Sequence, residues 1–311
     1  MKRMAWLKAI ALAVLAAALL GALACAAEED DEASPYVENE YNFVDGSIDV
    51  SHGIPDDAEG VLALIRDAGV LRVATEPYFP PQEFIDPNLS GQDSYVGADM
   101  ELARRIAERM GVELVIVPME FTEVLTAVSE GSCDLAISAL SFTPGRASAV
   151  EMSKGYNYAG ENAGSALVIR TEDADAIRSV NDLAGRDIVA QSGSLQEMLM
   201  AGNVTHYHQF RRLSQMQDVY DAVESGLADA AMADAEATQA YIDGNPSCGL
   251  MLVPGVRFRQ EEAFDGDRIA GKKGELQLMY FVNGVIDEVL ESGQYRAWFE
   301  EYEARAAELD M

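Results

Sequence analysis

The sequence predicts an α/β fold made of two alternating blocks, and three observations carry that prediction. Short apolar runs of strand length alternate with amphipathic stretches of helix length from residue 60 onward, a pattern that implies parallel strands covered by helices. The alternation stops near residue 160 and starts afresh, which divides the chain into two lobes. Aromatic, hydroxyl and charged side chains cluster just after the apolar runs, where open α/β sheets hold their ligands.

At the start of the chain, Lys2, Arg3 and Lys8 precede an apolar run over 9–24, shorter than the roughly 20 residues that span a bilayer. Residues 1–24 therefore read as a signal peptide, with Ala22-Leu-Ala24 as a small-x-small cleavage site. Cleavage there leaves Cys25 first, in a setting similar to an imperfect lipobox, with Leu23 and Ala22 in the reverse of the usual order. The chain is thus expected outside the cytoplasm, either as a lipoprotein held on the membrane through Cys25 or as a periplasmic protein. Residues 26–59 hold twelve Asp or Glu and no Lys or Arg; such a block repels itself, so 25–59 reads as an acidic tether. Tyr36, Tyr41, Phe43, Val44 and Ile48 are too apolar for pure linker and are candidates to fold back on the domain.

The first block reads as a helix over 60–68 and a strand over 70–75. A helix over 100–110 follows, with Leu102, Ile106 and Met110 on one face and Asp99 as its N-cap. A strand over 114–117, a helix over 122–130 and a strand over 135–140 complete it. The second block reads as a strand over 166–170, a short helix over 179–185 stopped by Gly185, and a strand over 187–190. Ser194 then caps a helix running to Met200, followed by a helix over 216–225, a strand over 228–232 and a helix over 235–242 with Asp234 as its natural cap. A strand over 268–271 and helices over 276–291 and 295–308 close the chain.

Composition removes several function classes. The chain has 53 acidic against 22 basic residues, a formal charge of −31, and beyond residue 59 there remain 41 acidic and 19 basic, about −22. Nucleic acid is excluded as a partner, since that affinity rests on neutralising phosphates. The histidines are His52, His206 and His208, with no metal-ligand spacing, and no HExxH, nucleophile elbow or phosphate-binding Gly loop followed by Lys occurs. No metal or cofactor is expected. Cys133 and Cys248 could pair in an exported protein, but a bridge across a moving cleft would oppose closure, which favours two thiols.

The stretch Ser138-Ala-Leu-Ser-Phe-Thr-Pro-Gly-Arg146 carries the chemistry. It places hydroxyls, backbone amides and one guanidinium at a strand end, a donor set suited to a small carboxylate. A lone Arg is more often a surface ion pair; what raises this one is its company, with Tyr78 and Phe79 after an earlier strand, Phe121 before a helix and Asp234 after a later strand. In that order, these segments resemble the polar amino-acid-binding proteins of ABC importers, which have the type II periplasmic-binding-protein fold. The resemblance runs from about residue 67 to 299. It includes Val70-Leu-Arg-Val-Ala-Thr-Glu76, Tyr78-Phe-Pro-Pro-Gln-Glu-Phe84, Gly97-Ala-Asp-Met-Glu-Leu102 and Gly271-Lys-Lys-Gly274, and departs at Ala98, where a larger apolar residue is usual.

The resemblance implies two lobes, each a mostly parallel sheet flanked by helices, joined by a two-strand hinge that closes on the ligand. Lobe one would comprise 60–157 plus 261–311, and lobe two 161–257. The ligand carboxylate would meet Arg146, Ser141 and the Ser194–Leu195 amides. The ammonium would meet Asp234 and a hydroxyl or carbonyl from Ser138, Ala139 or Ser141. Phe79 and Phe121 would sandwich the aliphatic part, while Glu76, Gln191 and Tyr78 would face the side chain and favour a polar or cationic amino acid. The partners implied are an amino acid and an ABC permease, served by a monomer. The alternative is an enzyme on the same fold, similar to a cyclohexadienyl or prephenate dehydratase, with Glu76 as the acid; Asp234 weighs against it, because prephenate has no ammonium.

Overall fold

The computed structural model describes residues 43–158, 164–261 and 264–309. The expected leader, Cys25 and the first half of the acidic run lie outside the described residues.

Helix α1 (Gly60–Ala68) buries Leu62 and Ile65 and stops at Gly69, which is left-handed at φ 68°. Strand β1 (Val70–Thr75), β5 (Glu113–Pro118), β6 (Leu135–Ser141), β7 (Val150–Met152) and the late strand β13 (Asp267–Lys272) form one five-stranded sheet in the order β5-β1-β6-β13-β7. Between them lie α2 (Ala98–Met110), α3 (Phe121–Glu130) and the short α4 (Pro144–Ala149). A separate three-stranded sheet, β2 (Tyr78–Phe79), β3 (Glu83–Ile85) and β4 (Tyr95–Val96), covers one end. The second lobe is a sheet in the order β10-β9-β11-β8-β12, from β8 (Ser165–Arg170), β9 (Asp187–Gln191), β10 (Gln209–Leu213), β11 (Ala230–Asp234) and β12 (Leu250–Phe258). Helices α5 (Leu195–Asn203), α6 (Met216–Glu224) and α7 (Ala235–Gly244) belong to it, while α8 (Leu276–Glu291) and α9 (Gln294–Glu308) pack on lobe one.

The α/β two-lobed architecture is as expected, and each five-stranded sheet is mixed by a single strand: four share one direction and one is reversed. In lobe one β1 pairs parallel with β5 and β6, whereas β13 runs antiparallel to β6 and β7. In lobe two β9 pairs parallel with β10 and β11, whereas β8 is antiparallel to β11 and β12. The reversed strands β8 and β13 are those that begin where the chain passes from one lobe to the other. A strand arriving from the opposite end meets its neighbours head to tail, and no apolar pattern encodes that direction.

Residues 43–50 are packed on lobe one rather than extended. Phe43 lies edge-on to Phe142 at 5.6 Å between centroids, and the Arg268 guanidinium sits 3.8 Å from its ring. Val44 N–H donates to Met152 O at 2.8 Å, and the buried Asn283 side chain donates to Val44 O and Gly46 O at 2.6 and 2.8 Å. Glycine is required at 46, since a Cβ there would lie 2.3 Å from the Tyr280 ring. Side chains of this strap bury apolar surface that a tether would leave in water, which explains why its second half is apolar.

Asp99 does not cap α2. The cap position is Gly97, at φ 123°, where a Cβ would meet Gln82 O at 2.1 Å, and Asp99 is the second helical residue with its side chain fully buried. The helix thereby begins two residues earlier than its apolar period indicates, because a buried carboxylate extends the inward face.

Candidate functional site

A cavity of about 760 Å³ lies between the lobes, within the range of small-molecule sites. The eleven residues singled out from the sequence as ligand-contacting all line it: Glu76, Phe79, Phe121, Ser138, Ala139, Ser141 and Arg146 from lobe one, and Gln191, Ser194, Leu195 and Asp234 from lobe two. Tyr78 does not; it is 45% exposed, because the two-residue strand β2 turns alternate side chains to opposite faces and gives the cleft to Phe79.

Arg146 is set by local structure. Thr143 Oγ accepts the Arg146 N–H at 3.1 Å and Pro144 opens the short helix, so the side chain issues from its first turn. Its guanidinium donates to Ser141 O at 2.7 Å and, from the other lobe, to Gly193 O at 3.1 Å. It also lies 5.5 Å from the Phe121 ring centroid. Among the described residues it makes no ion pair, and desolvation brings its pKa down to about 10. An enclosed guanidinium held only by carbonyls retains N–H capacity for an anion. The Gly193 bond ties the lobes, and Phe79 packs against the apolar core of lobe two, so the cleft is closed.

Asp234 ends β11 and caps α7: its Oδ1 accepts Glu236 N–H at 3.0 Å and Ala237 N–H at 2.9 Å. Its Oδ2 carries no hydrogen bond among the described residues, and burial raises its pKa. Capping therefore occupies one oxygen of the carboxylate, and the residue still lines the cavity. The loop before α5 is more committed than its sequence indicates. Ser194 Oγ donates to Gln191 O and accepts Glu197 N–H, Ser194 N–H turns back to Gln191 O at 3.3 Å, and Glu197 Oε2 accepts Gly193 N–H at 2.7 Å. Of the two amides considered for a carboxylate, Leu195 N–H is the one without an internal partner among the described residues. Gln191 spends its Nε2 on Ser214 O and keeps its oxygen for the cleft.

At the other wall, carboxyl groups dominate. Ser138 Oγ accepts Glu76 N–H and donates to Glu83 Oε1, both at 3.0 Å, so the Ser138 hydroxyl is consumed internally. Asp99 accepts Tyr156 OH at 2.6 Å, Tyr295 OH at 2.7 Å and Ala139 N–H at 3.0 Å. Burial raises both Glu83 and Asp99, Glu83 much further because Asp99 lies beside it and three donors hold Asp99 back. Asp99 in turn pins Ala139 at φ 44°, a left-handed conformation that alanine does not adopt unaided. Glu76 is 3% exposed, its Oε1 has no partner, and burial pushes its pKa up to about 8, with Glu120 adding repulsion.

Glu83, Asn157 and Asp267 line the cavity and were not singled out as cleft residues from the sequence, and the fully buried Asp99 was read only as a cap. Asp99 and Glu83 fall within quoted motifs but their charges meet only through the fold, and Asp267 reaches them from a third, distant segment. In all, eight acidic side chains line the cavity against the arginines at 146, 257, 259 and 296. Among the described residues no cluster of His, Cys, Asp and Glu could hold a metal ion, and Cys133 and Cys248 are unbonded.

Three comparisons with known proteins agree. The profile of the bacterial extracellular solute-binding proteins, family 3, matches residues 71–304. A probable histidine-binding protein of Campylobacter jejuni is 28% identical over 75% of this chain and 84% of its own. The arginine-binding extracellular protein ArtP of Bacillus subtilis is 27% identical over 67% and 79%. Among solved structures, an amino acid ABC transporter substrate-binding protein, AbpA of Streptococcus pneumoniae, bound to L-arginine, superposes with a TM-score of 0.70 at 30% identity, covering 79% of this chain and 98% of its own. A cyclohexadienyl dehydratase of Pseudomonas aeruginosa matches more narrowly, at 32% over 27% of this chain and 30% of its own. With three quarters of its length matched by one family profile, and with the closed two-lobed cleft described above, the chain belongs to the bacterial extracellular solute-binding proteins, family 3.

Proposed function

We propose that this exported protein captures a cationic α-amino acid, with arginine the best fit, and delivers it to an ABC permease. The observation that carries this is the pairing of a cleft guanidinium, Arg146, with a buried carboxylate oxygen, Glu76 Oε1, which among the described residues have no ion pair and no hydrogen-bond partner respectively. A zwitterion with a cationic side chain satisfies both ends: its carboxylate meets Arg146 and Leu195 N–H, its ammonium meets Asp234 Oδ2, and its guanidinium meets Glu76. Phe79 and Phe121 cover the aliphatic stem and exclude water, which strengthens each charged contact. The arginine named for two of the similar proteins supports the choice. Delivery as a monomer and membrane attachment through Cys25 belong to the same reading.

Enzyme activity is the second reading, favoured by one observation: a cleft carboxyl with its pKa near 8, Glu76, could protonate a leaving group. Asp234 opposes it, since its oxygen would face a prephenate-like substrate with no ammonium to meet it. The test is calorimetry on protein unfolded and refolded to remove ligand, titrated with L-arginine, L-lysine, L-histidine, L-glutamine and prephenate. Micromolar or tighter arginine binding supports the proposal. Binding of no α-amino acid refutes it, and turnover of prephenate establishes the enzyme.

A further inference from the structure

Resting on that reading, we propose that Asp267 is a second anionic partner of the ligand α-ammonium, opposite Asp234, and that it makes the cleft selective for a free primary α-amine. Asp267 opens β13 and stands directly across from Ser141, whose carbonyl holds the Arg146 guanidinium. Its backbone is fixed on both sides, with Asp267 N–H donating to Asn157 O at 3.1 Å and Tyr156 N–H donating to Asp267 O at 2.9 Å. Its side chain lines the cavity, and Oδ2 accepts Asn157 Nδ2 at 2.8 Å, which aims the carboxyl while leaving Oδ1 without a donor among the described residues. Asp267 thus sits where a ligand head group gripped by Arg146 and Asp234 would have its third side.

The groups facing Asp267 are Asp99, Asp234, Asp265 and Glu83 among the acids, the phenols of Tyr156 and Tyr295, and Arg146 of opposite sign. Burial and the like charges push its pKa up to about 8, so in the empty cleft at neutral pH it holds a proton. Arg146 alone does not ionise it; an ammonium placed between Asp234 and Asp267 supplies the missing positive charge. A ligand carboxylate without an adjacent ammonium would instead leave Asp267 protonated and Asp234 without a cation.

The test compares L-arginine with 5-guanidinopentanoic acid, which lacks only the α-amine, on wild-type protein and on Asp267→Asn, which keeps the Asn157 bond. Wild-type should prefer arginine strongly. The variant should lose about tenfold to a hundredfold in arginine affinity, the range of one charge-assisted contact, while binding the desamino analogue as well as wild-type or better. Calorimetry at pH 7 in two buffers of different ionisation enthalpy should also show close to one fewer proton released on arginine binding by the variant. Equal losses for both ligands, or none for arginine, overturn the assignment of Asp267 alone. Wild-type protein that binds no α-amino acid overturns the functional proposal and this inference with it.

Discussion

Replacing Glu76 by glutamine tests whether a ligand-binding carboxylate is stored in the cleft at a cost to the fold. Glu76 is buried, one of its oxygens lacks a partner, and its pKa rises from the ordinary 4.5 to about 8. Because the folded value is the higher, the contribution of this group to stability is complete below about pH 4.5 and is lost as pH rises through about 8. At about 1.4 kcal/mol per pH unit, the loss in the ligand-free protein is about 1.4 kcal/mol at pH 5.5, about 3 at pH 7 and about 4 at pH 8. Glutamine keeps the shape and cannot ionise, so its own cost is independent of pH. The stability advantage of Glu76→Gln should therefore widen by about 3 kcal/mol between pH 5.5 and 8.

Guanidinium chloride unfolding of ligand-stripped wild-type and variant at pH 5.5, 7 and 8 measures this directly. Repeating the series with saturating L-arginine should close the gap, because the ligand cation stabilises the ionised carboxylate and binding to the folded state adds RT ln(1 + [L]/Kd). A gap that does not change with pH shows that Glu76 is an ordinary solvated carboxylate. A gap that widens with pH but persists under arginine shows that the ligand side chain does not meet Glu76.

Four other outcomes are expected. Arg146→Ala should weaken arginine binding by about 2–5 kcal/mol in calorimetry, by leaving the ligand carboxylate enclosed without a cation; unchanged affinity would refute its role. Asp99→Asn should lower stability by about 3 kcal/mol, the scale of a charged group stripped of hydrogen bonds, and a neutral effect on thermal midpoint would mean the three donors do not depend on its charge. Deleting residues 1–42 should leave the midpoint unchanged, whereas deleting 1–50, or Phe43→Ala, should lower stability by about 3 kcal/mol, since only the latter two remove the buried ring. Cys25→Ala should move the protein from membrane to soluble fraction on expression in its export pathway; an unchanged membrane fraction would reject lipid anchoring there.

What the sequence disclosed and what it withheld divide along a physical line. Strands such as Val70–Thr75 and Asp187–Gln191 are readable because burial on both faces forces continuous apolar runs, and helices such as Gly60–Ala68 because one face must be apolar and a glycine must end them. Arg146, Asp234 and Ser194 were legible because each follows an apolar run, and strand ends are where this class of sheet opens. Strand direction was not legible, since β8 and β13 have the same apolar pattern whichever way they run. The acid cluster was not legible either: Glu83, Asp99 and Asp267 come from three distant segments, and each alone reads as a cap or a surface charge.

That cluster also explains why the head-group wall needs no special sequence of its own. Ala139 can stay at φ 44° because Asp99 accepts its N–H, and Asp99 can stay buried because Tyr156 and Tyr295 each donate to one of its oxygens. Ser138 is then held by Glu83 on one side and by the Glu76 N–H on the other, so Glu76, proposed to meet the ligand side chain, and the Ser138–Ala139 backbone hang from one buried network. A perturbation at Asp99 should accordingly weaken ligand binding as well as folding, with the loss shared by arginine and its desamino analogue, unlike the loss at Asp267. That contrast separates a residue that shapes the wall from one that touches the ligand.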